Sequence, residues 1–198
     1  MRPILLLGAG LCILPSYVWS YSLSGASGAP TILLGDTVIV NRAAYDLRLP
    51  YSTVRLFRTG LPQRGDMVQV YLPANIGLGI KRVIGLPGET AEIRENRVLI
   101  NGLPLPVQPL DSAAFRWVPA THQMGSVVVN EDGHWAAYTP GKSQYRNSAP
   151  VKLGPSEYFL MGDNRDNSLD SRAFGAISRQ RIAGKTLAVL RNGALISQ

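Results

Sequence analysis

The residues of this sequence whose types could do chemistry lie in four short segments. Lys81 is the clearest of them, because it follows Gly79 and Ile80 in an apolar strand pattern, where a charged side chain needs a reason. A serine hydroxyl becomes a nucleophile only beside a base, and a lysine amine serves as that base only when it is neutral. The four segments are Ser27–Thr31, Arg64–Val68, Lys81–Glu89 and Gly162–Gly175. Taken singly, the first two of these segments are also typical of ordinary loops and turns.

The fourth segment is dense in charge for a loop. Its five charged residues are Asp163, Arg165, Asp166, Asp170 and Arg172. A solvated turn is the simplest interpretation of such a segment. The alternation of aspartate with arginine, however, favours ion pairs inside the loop that fix its shape.

Histidine and cysteine chemistry has few candidates here. The two histidines, His122 and His134, both lie in an irregular stretch, and a surface side chain is the simplest interpretation of each. A Ser-His-Asp triad therefore lacks a convincing base. A metal site lacks ligands, so we expect neither a metal nor another cofactor. The single cysteine, Cys12, lies in an apolar run and excludes a disulfide framework.

The elements that must position these residues are predicted to be short strands joined by turns. Strand patterns occur at residues 32–34, 37–40, 67–72, 79–84, 91–93, 98–100 and 157–161. Glu95-Asn96 predicts a hairpin turn, residues 103–150 an irregular insert or small subdomain, and residues 183–191 a last strand or short helix. The spacing predicts a mainly β body over residues 24–198, folded as an antiparallel sheet or barrel-like structure with a small β insert.

An apolar segment precedes this body. Residues 3–23 carry no charge, Arg2 precedes them, and Trp19 and Tyr21 stand where an interfacial aromatic belt would be. The segment therefore predicts one transmembrane helix that anchors the chain with its amino terminus inside. A cleaved signal peptide is the alternative, since the apolar core Ile4–Leu14 is followed by small residues.

Composition narrows the class of protein further. The chain has 198 residues, of which 45% are hydrophobic and 17% charged, and its net charge is +7. The ordinary apolar content excludes a disordered tail protein, and the single long apolar stretch excludes a polytopic membrane protein. The basic residues are scattered, so we expect a solvated basic surface and no nucleic-acid partner.

In this order, and after an apolar segment, the four segments resemble the bacterial type I signal peptidases. These are Ser/Lys membrane proteases that remove leader peptides from exported proteins. The resemblance runs from about residue 24 to 175, chiefly through Lys81-Arg82-Val83-Ile84-Gly85-Leu86-Pro87-Gly88 and Gly162-Asp163-Asn164-Arg165-Asp166-Asn167-Ser168. It implies a single-pass enzyme of the bacterial cytoplasmic membrane with its catalytic domain on the outer, periplasmic side. Its implied partners are signal-peptide-bearing preproteins and the lipid bilayer.

The resemblance also implies a role for each matching residue. Ser27, three residues before Pro30, matches the nucleophile, Lys81 the general base, and Ser168 the serine that orients the lysine. To act as a base, a lysine needs a pKa well below its usual value of ~10.4. A drop of ~3 units corresponds to a free-energy difference of ~4 kcal/mol between the charged and neutral forms. The apolar neighbours of Lys81 on its strand supply the desolvation that such a shift needs.

Supporting and substrate-binding roles follow in the same way. The matching residues are the braced ion pair Asp170 and Arg172, the scaffold residues Asp163 and Arg165, and the pocket residues Ile80 and Gly28. Two positions depart from the family pattern. Gly28 replaces a methionine, and Gly25 replaces a serine that helps the oxyanion hole in some members, so the hole would rest mainly on backbone N–H groups.

The residues leave other functions open. A specialised relative that processes conjugative pilins is the alternative within the family, favoured by Gly28 and the short chain. A self-cleaving Ser/Lys repressor would need a DNA-binding helical region where the apolar segment stands. A membrane-tethered scaffold without activity would not need both Ser27 and Lys81. For the main hypothesis, the resemblance implies small residues, alanine above all, immediately before the cut and two positions further back.

Overall fold

Short strands make up most of the chain that the computed structural model describes, which is residues 16–22, 25–74, 76–110, 127–138 and 145–196. The strands are β1 (Val18–Ser22), β2 (Thr37–Asn41), β3 (Asp46–Arg48), β4 (Arg55–Arg58), β5 (Met67–Leu72), β6 (Gly77–Gly85), β7 (Thr90–Arg94), β8 (Arg97–Ile100), β9 (Leu103–Pro104), β10 (Val107–Pro109), β11 (Val127–Glu131), β12 (His134–Tyr138), β13 (Ser148–Lys152), β14 (Glu157–Met161), β15 (Ile177–Ser178), β16 (Ile182–Arg191) and β17 (Ala194–Ile196). The helical elements are α1 (Ser171–Phe174) and the 3-10 turns Arg165–Asn167 and Arg179–Arg181, and residues 16 and 17, directly before β1, are also helical.

One large sheet carries the elements of interest. Its strand order is β1-β2-β16-β5-β6-β14-β15, with β17 paired to β16, and neighbouring strands are antiparallel. The prediction of a mainly β, antiparallel fold is confirmed. The alternative left open at residues 183–191 is settled as a strand, because β16 pairs along both of its edges.

Smaller sheets flank the large one. They have the orders β13-β7-β8-β9, β10-β11-β12 and β3-β4. The predicted hairpin between β7 and β8 is confirmed, and Glu95 and Asn96 both have positive φ, as a tight two-residue hairpin turn requires. The stretch 103–150, predicted to be irregular or a small subdomain, contains β9 to β12 and the start of β13 within its described part.

The middle of the large sheet is covered on both faces, which explains the apolar run around Lys81. On one side Val68 and Val83 pack with Leu160. On another, Ile80 packs with Val38 and other buried residues of β2 and β5. A strand buried on both faces needs apolar residues at nearly every position. Strand β6 is therefore a fixed support for the side chains it carries.

The amino-terminal part differs from the expectation in one respect. Residues 18–22 were predicted to end a transmembrane helix, but they form β1, which pairs with β2 from Val18 opposite Asn41 to Ser22 opposite Thr37. The difference arises because a short uncharged run can form the edge strand of a sheet as readily as the end of a lipid-facing helix. Residues 3–15 and 23 of the predicted segment lie outside the described residues. In the described part of the chain, no helix is long and apolar enough to cross a bilayer.

Candidate active site

Lys81 lies on β6 with its amine directed to the loop that follows β14. Its side chain is buried, and Nζ donates a hydrogen bond of 2.9 Å to Ser168 Oγ. Desolvation lowers the pKa of Lys81, because burial penalises the charged amine. Asp170 and Asp163 oppose this shift and Arg172 adds to it. The neutral amine, which is the form that a general base needs, is therefore easier to reach than in an exposed lysine.

Ser27 lies half-buried in the turn between β1 and β2. The backbone N–H of Ala29 closes this turn on the carbonyl of Ala26 at 3.2 Å. Asn164, in the loop after β14, holds the turn at two points. Its backbone N–H donates to the Ser27 carbonyl at 3.1 Å, and its side-chain amide donates to the Ala26 carbonyl at 3.2 Å. The Ser27 turn is thereby attached to the loop that carries Ser168.

Gly162 is the point where these parts meet. A Cβ atom built on Gly162 would lie 2.6 Å from the Ser27 carbonyl oxygen and would also overlap the side chain of Ser168. Only glycine leaves room for both neighbours. The backbone N–H of Gly162 donates to Asp170 Oδ2 at 3.0 Å. The Ser27 turn and Ser168 therefore both pack against Gly162, and Ser168 is also hydrogen-bonded to the Lys81 amine.

Asp163 forms an enclosed ion pair with Arg82, the neighbour of Lys81 on β6. The Arg82 guanidinium donates to the two carboxylate oxygens at 2.8 and 2.7 Å, and Thr31 Oγ1 donates to the same carboxylate at 2.5 Å. Burial would raise the pKa of Asp163, but Arg82 and Thr31 lower it, so the carboxylate stays ionised. Arg82 also donates to the Gly65 carbonyl at 2.7 Å. All four segments of the sequence thus meet around this pair.

Asp170 and Arg172 pair within the loop, as alternating charge predicts. Arg172 donates to both carboxylate oxygens at 2.8 Å, and the carboxylate also caps α1 by accepting from the Arg172 backbone N–H at 3.2 Å. Burial would raise the pKa of Asp170, but Arg172 and the Gly162 N–H lower it. A carboxylate held by so many donors fixes the path of the loop around Ser168.

Two residues outside the four segments complete the network, and no pattern in the sequence pointed to either of them. Glu131, at the end of β11, accepts two hydrogen bonds from Arg165, at 3.1 and 2.5 Å. His134, at the start of β12, places Nε2 3.5 Å from the same carboxylate. The expectation of a surface position for His134 is wrong, because the side chain is buried inside this arrangement. His122 lies outside the described residues.

The two residues matched to the substrate pocket share one neighbour. Ile80 is buried in a cluster that includes Ile32, and a Cβ atom added to Gly28 would lie 3.1 Å from Ile32 Cβ. A larger residue at position 28 would therefore require Ile32 to move. Gly25 differs, because nothing lies within 4 Å of an added Cβ, so packing does not demand glycine there. Thr31, Asn164 and Gly162 received no individual role from the sequence, although all three lie inside its segments.

The sequence matches a model of a known protein family over most of its length. The family model described as "Signal peptidase, peptidase S26" matches residues 2–190. The chain belongs to the S26 signal peptidase family. The segments with the resemblance noted above, and the buried Lys81–Ser168 contact, lie inside the matched range.

Individual members of the S26 family are similar over most of the chain. The signal peptidase I of Pseudomonas aeruginosa is 33% identical over 189 residues, which cover 85% of this chain and 63% of that protein. The signal peptidase I of Bacillus licheniformis is 30% identical over 165 residues, which cover 83% of this chain and 72% of that protein. The crystal structure of a signal peptidase I from Enterococcus faecalis V583 has 31% sequence identity to this chain. The match covers 64% of this chain and 97% of that chain, with a TM-score of 0.39.

The S26 relatives from Pseudomonas are longer than the matched region. The chain spans 63% of the length of the Pseudomonas aeruginosa protein and 63% of the length of the Pseudomonas fluorescens signal peptidase I. Identity with the latter is 32% over 187 residues, and 85% of this chain is covered.

Proposed function

We propose that this chain is a serine endopeptidase that removes N-terminal signal peptides from exported proteins, with Ser27 as nucleophile and Lys81 as general base. One observation carries the proposal. The buried amine of Lys81, whose pKa is lowered, donates a hydrogen bond to Ser168 Oγ, and Gly162 packs closely against both Ser168 and the Ser27 carbonyl. Membership of the S26 family supports the reaction, and the name of the relatives, signal peptidase I, supports the substrate class.

The proposed reaction uses Lys81 as the base in both acylation and deacylation. The neutral Lys81 amine accepts the proton of Ser27 Oγ as that oxygen attacks the carbonyl carbon of the scissile bond. The resulting ammonium gives the proton to the leaving nitrogen, so the amine product departs and an ester to Ser27 remains. Lys81 then takes a proton from a water that attacks the ester, and this proton returns to Ser27 Oγ. The Ser168 hydroxyl keeps the amine in place throughout.

Substrate binding follows from the position of the lysine on β6. We assign the oxyanion to the Ser27 backbone N–H, because Gly25 supplies no hydroxyl group. A substrate extended beside β6 sends alternate side chains to the same side, and we propose that two apolar pockets on that side bind the first and third residues before the cut. Ile80 and its neighbour Ile32 supply close apolar walls that select small side chains by excluding large ones, and Gly28 adjoins Ile32 without adding a side chain of its own.

We place the enzyme in the bacterial cytoplasmic membrane with its body on the outer face. The apolar run that precedes β1 is the proposed anchor. Strand β1 itself exposes Trp19, and the Arg42 guanidinium lies 4.6 Å from the centre of that ring. Aromatic and basic side chains of this kind are typical of surfaces that lie in the headgroup region. Further exposed apolar residues around β3 and β4 are Leu49, Tyr51, Val54, Leu56 and Phe57.

The test is cleavage of a leader-bearing peptide by the purified chain. Ser27→Ala and Lys81→Met are each expected to lower kcat by ~10⁴-fold or more, since both members of the pair act in the same step. Ser156→Ala and Lys152→Met change the same residue types at exposed positions and should cleave as the wild type does. Mass spectrometry of the products locates the cut. Full cleavage by Lys81→Met would exclude the proposed base, and cleavage by Ser27→Ala would exclude the nucleophile.

A further inference from the structure

The hairpin β11–β12 holds the loop after β14 from outside the four segments. Its turn is Asp132-Gly133, with φ of 49° and 85°, so Glu131 and His134 lie directly opposite each other. Further along β12, the backbone N–H of Ala137 donates to the Asp163 carbonyl at 2.8 Å. The hairpin therefore contacts the loop through both backbone and side chains.

Arg165 is the residue by which the loop reaches the hairpin. The loop's other arginine, Arg172, is paired inside the loop with Asp170, whereas the carboxylate that pairs with Arg165 comes from Glu131. Both side chains of the Arg165–Glu131 pair are at least nine-tenths buried. Burial would raise the pKa of Glu131, but Arg165 and His134 lower it to about 2, so the pair stays charged at any physiological pH.

A two-point ion pair fixes orientation as well as distance. Two parallel hydrogen bonds between a guanidinium and a carboxylate allow little rotation of either group. Desolvation consumes much of the attraction in a buried pair, so apolar side chains of similar volume often serve stability as well or better. The pair between Glu131 and Arg165 is therefore better suited to holding the loop in one position than to stabilising the fold.

The residues beside Arg165 are those that hold the active site. Asn164 precedes it and holds the Ser27 turn by two hydrogen bonds. Ser168 ends the 3-10 turn that Arg165 begins, and its hydroxyl accepts from Lys81. A displacement of Arg165 would therefore move the nucleophile's turn and the serine that holds the base together.

We propose that Glu131 is a positioning residue for the peptidase reaction, which through Arg165 sets the place of the Ser27 turn and of Ser168. This inference rests on the proposed function. Glu131 does not contact the reacting groups. By holding the loop in place, it keeps Ser27, Ser168 and Lys81 in fixed relative positions and keeps water away from the Lys81 amine.

The experiment separates positioning from stability with a double replacement. Glu131→Met combined with Arg165→Met removes the ion pair without leaving a buried charge, so the chain should fold and unfold at a temperature similar to that of the wild type. With a leader-bearing peptide, kcat should fall by about 10- to 100-fold, as small misplacements of reacting groups do, and KM should change by less than about twofold. Glu131→Gln should show the same split at a lower unfolding temperature.

The pH profile gives a readout that a merely structural role would not move. A looser loop admits water to Lys81 and raises its pKa toward the ordinary value, so the acid limb of kcat should move to higher pH. In a double-mutant cycle, Glu131→Gln should add nothing to Arg165→Met, because Glu131 acts through Arg165. The matched control is Glu95→Gln, which changes a carboxylate paired with Arg146 on the surface and should leave all parameters unchanged.

The outcomes are distinct for the two proposals. If the Met/Met variant keeps the wild-type kcat and the wild-type acid limb, the positioning role is excluded, while cleavage by the wild type still supports the proposed function. If the wild type itself cleaves no leader peptide, the proposed function fails, and this inference fails with it. Loss of kcat with a shifted limb in the Met/Met variant, and no change in Glu95→Gln, supports the positioning role.

Discussion

The loop after β14 and the hairpin β3–β4 both carry arginines, but the two regions use them differently. In the loop, the side chains of Arg165 and Arg172 are buried, and each donates two hydrogen bonds to one carboxylate. In the hairpin, Arg58 is exposed and Arg55 lies 3.3 Å from Asp46 with a quarter of its side chain exposed. The first region encloses its charges, and the second leaves much of its charge in solvent beside exposed apolar side chains.

The difference shows how burial decides what a charged residue contributes. Breaking a buried pair by removing one partner costs ~3–5 kcal/mol, because a desolvated charge is left behind. An exposed pair contributes ~0–1 kcal/mol. We therefore expect the loop after β14 to be rigid and intolerant of substitution. The hairpin β3–β4 should accept substitution and act through its surface.

The largest effect should follow from breaking the Asp163–Arg82 pair. Asp163→Asn keeps the shape of the side chain but leaves Arg82 buried without its counter-charge, which should lower the free energy of unfolding by ~3–5 kcal/mol. Denaturant titration measures this loss. Asp132→Asn, in the exposed turn between β11 and β12, is the matched control and should stay within ~0.5 kcal/mol of the wild type. A loss for Asp163→Asn no larger than that of the control would contradict the contrast between the regions.

The second effect concerns the dependence of rate on pH. Burial lowers the pKa of Lys81, and only the neutral amine is active, so kcat/KM should rise about tenfold per pH unit below that pKa and stay level above it. The measurement is a pH–rate profile on a leader-bearing peptide. The rising limb should persist in His134→Gln. Its disappearance in that variant would assign the limb to the histidine instead.

The third effect is a gain in stability. Between the lowered pKa of folded Lys81 and the unfolded value of ~10.4, this group binds more protons in the unfolded chain, so its contribution to stability rises with pH. Lys81→Met removes this penalty. It should therefore unfold at a higher temperature than the wild type below the folded pKa, and the difference should shrink as pH rises toward ~10. Lys152→Met should show no such pH-dependent gain. A constant difference across pH would contradict desolvation as the cause.

The smallest effect on stability should come from the hairpin β3–β4. Leu56 and Phe57 are 53% and 59% exposed, so Leu56→Gln combined with Phe57→Gln should change the free energy of unfolding by ~0.5 kcal/mol or less. Turnover of a soluble peptide should stay within about twofold, whereas cleavage of a preprotein inserted in vesicles should slow. The control Leu103→Gln removes an exposed apolar residue from β9. An equal slowing by that control would argue against a lipid contact at the hairpin.

The short-range pattern of apolar residues predicted secondary structure correctly where a segment is buried along most of its length. Apolar runs bounded by turn residues predicted strands that became β5, β6 and β14, and Glu95-Asn96 predicted its hairpin. At residues 18–22 the apolar pattern predicted the wrong element, because an uncharged run fits an edge strand as well as a membrane helix. It also failed at residues 32–34, which form a turn rather than a strand. Local composition does not say which partner a segment will find.

Within the site, the sequence identified residues whose chemistry is unusual for their surroundings. A lysine among apolar residues and a loop of alternating charges are visible without a structure, and the family resemblance attached roles to Ser27, Lys81 and Ser168 that stay predictions. Pairing was less accessible. Asp170 and Arg172 are two residues apart and were predictable as a pair, whereas Arg82 and Asp163 were not, because long-range contacts depend on which strands become neighbours.

By itself, the sequence determined that this protein is a mainly β chain with a lysine that must be desolvated and a charged loop that must pair its ions. These properties depend on residue type and local spacing. Only the tertiary structure decided that Glu131 reaches Arg165, that Gly162 supports both Ser27 and Ser168, and that His134 is buried. The physical reason is that burial and ion pairing are properties of the space between strands distant in sequence. The antiparallel order of those strands fixes that space, and no local pattern encodes it.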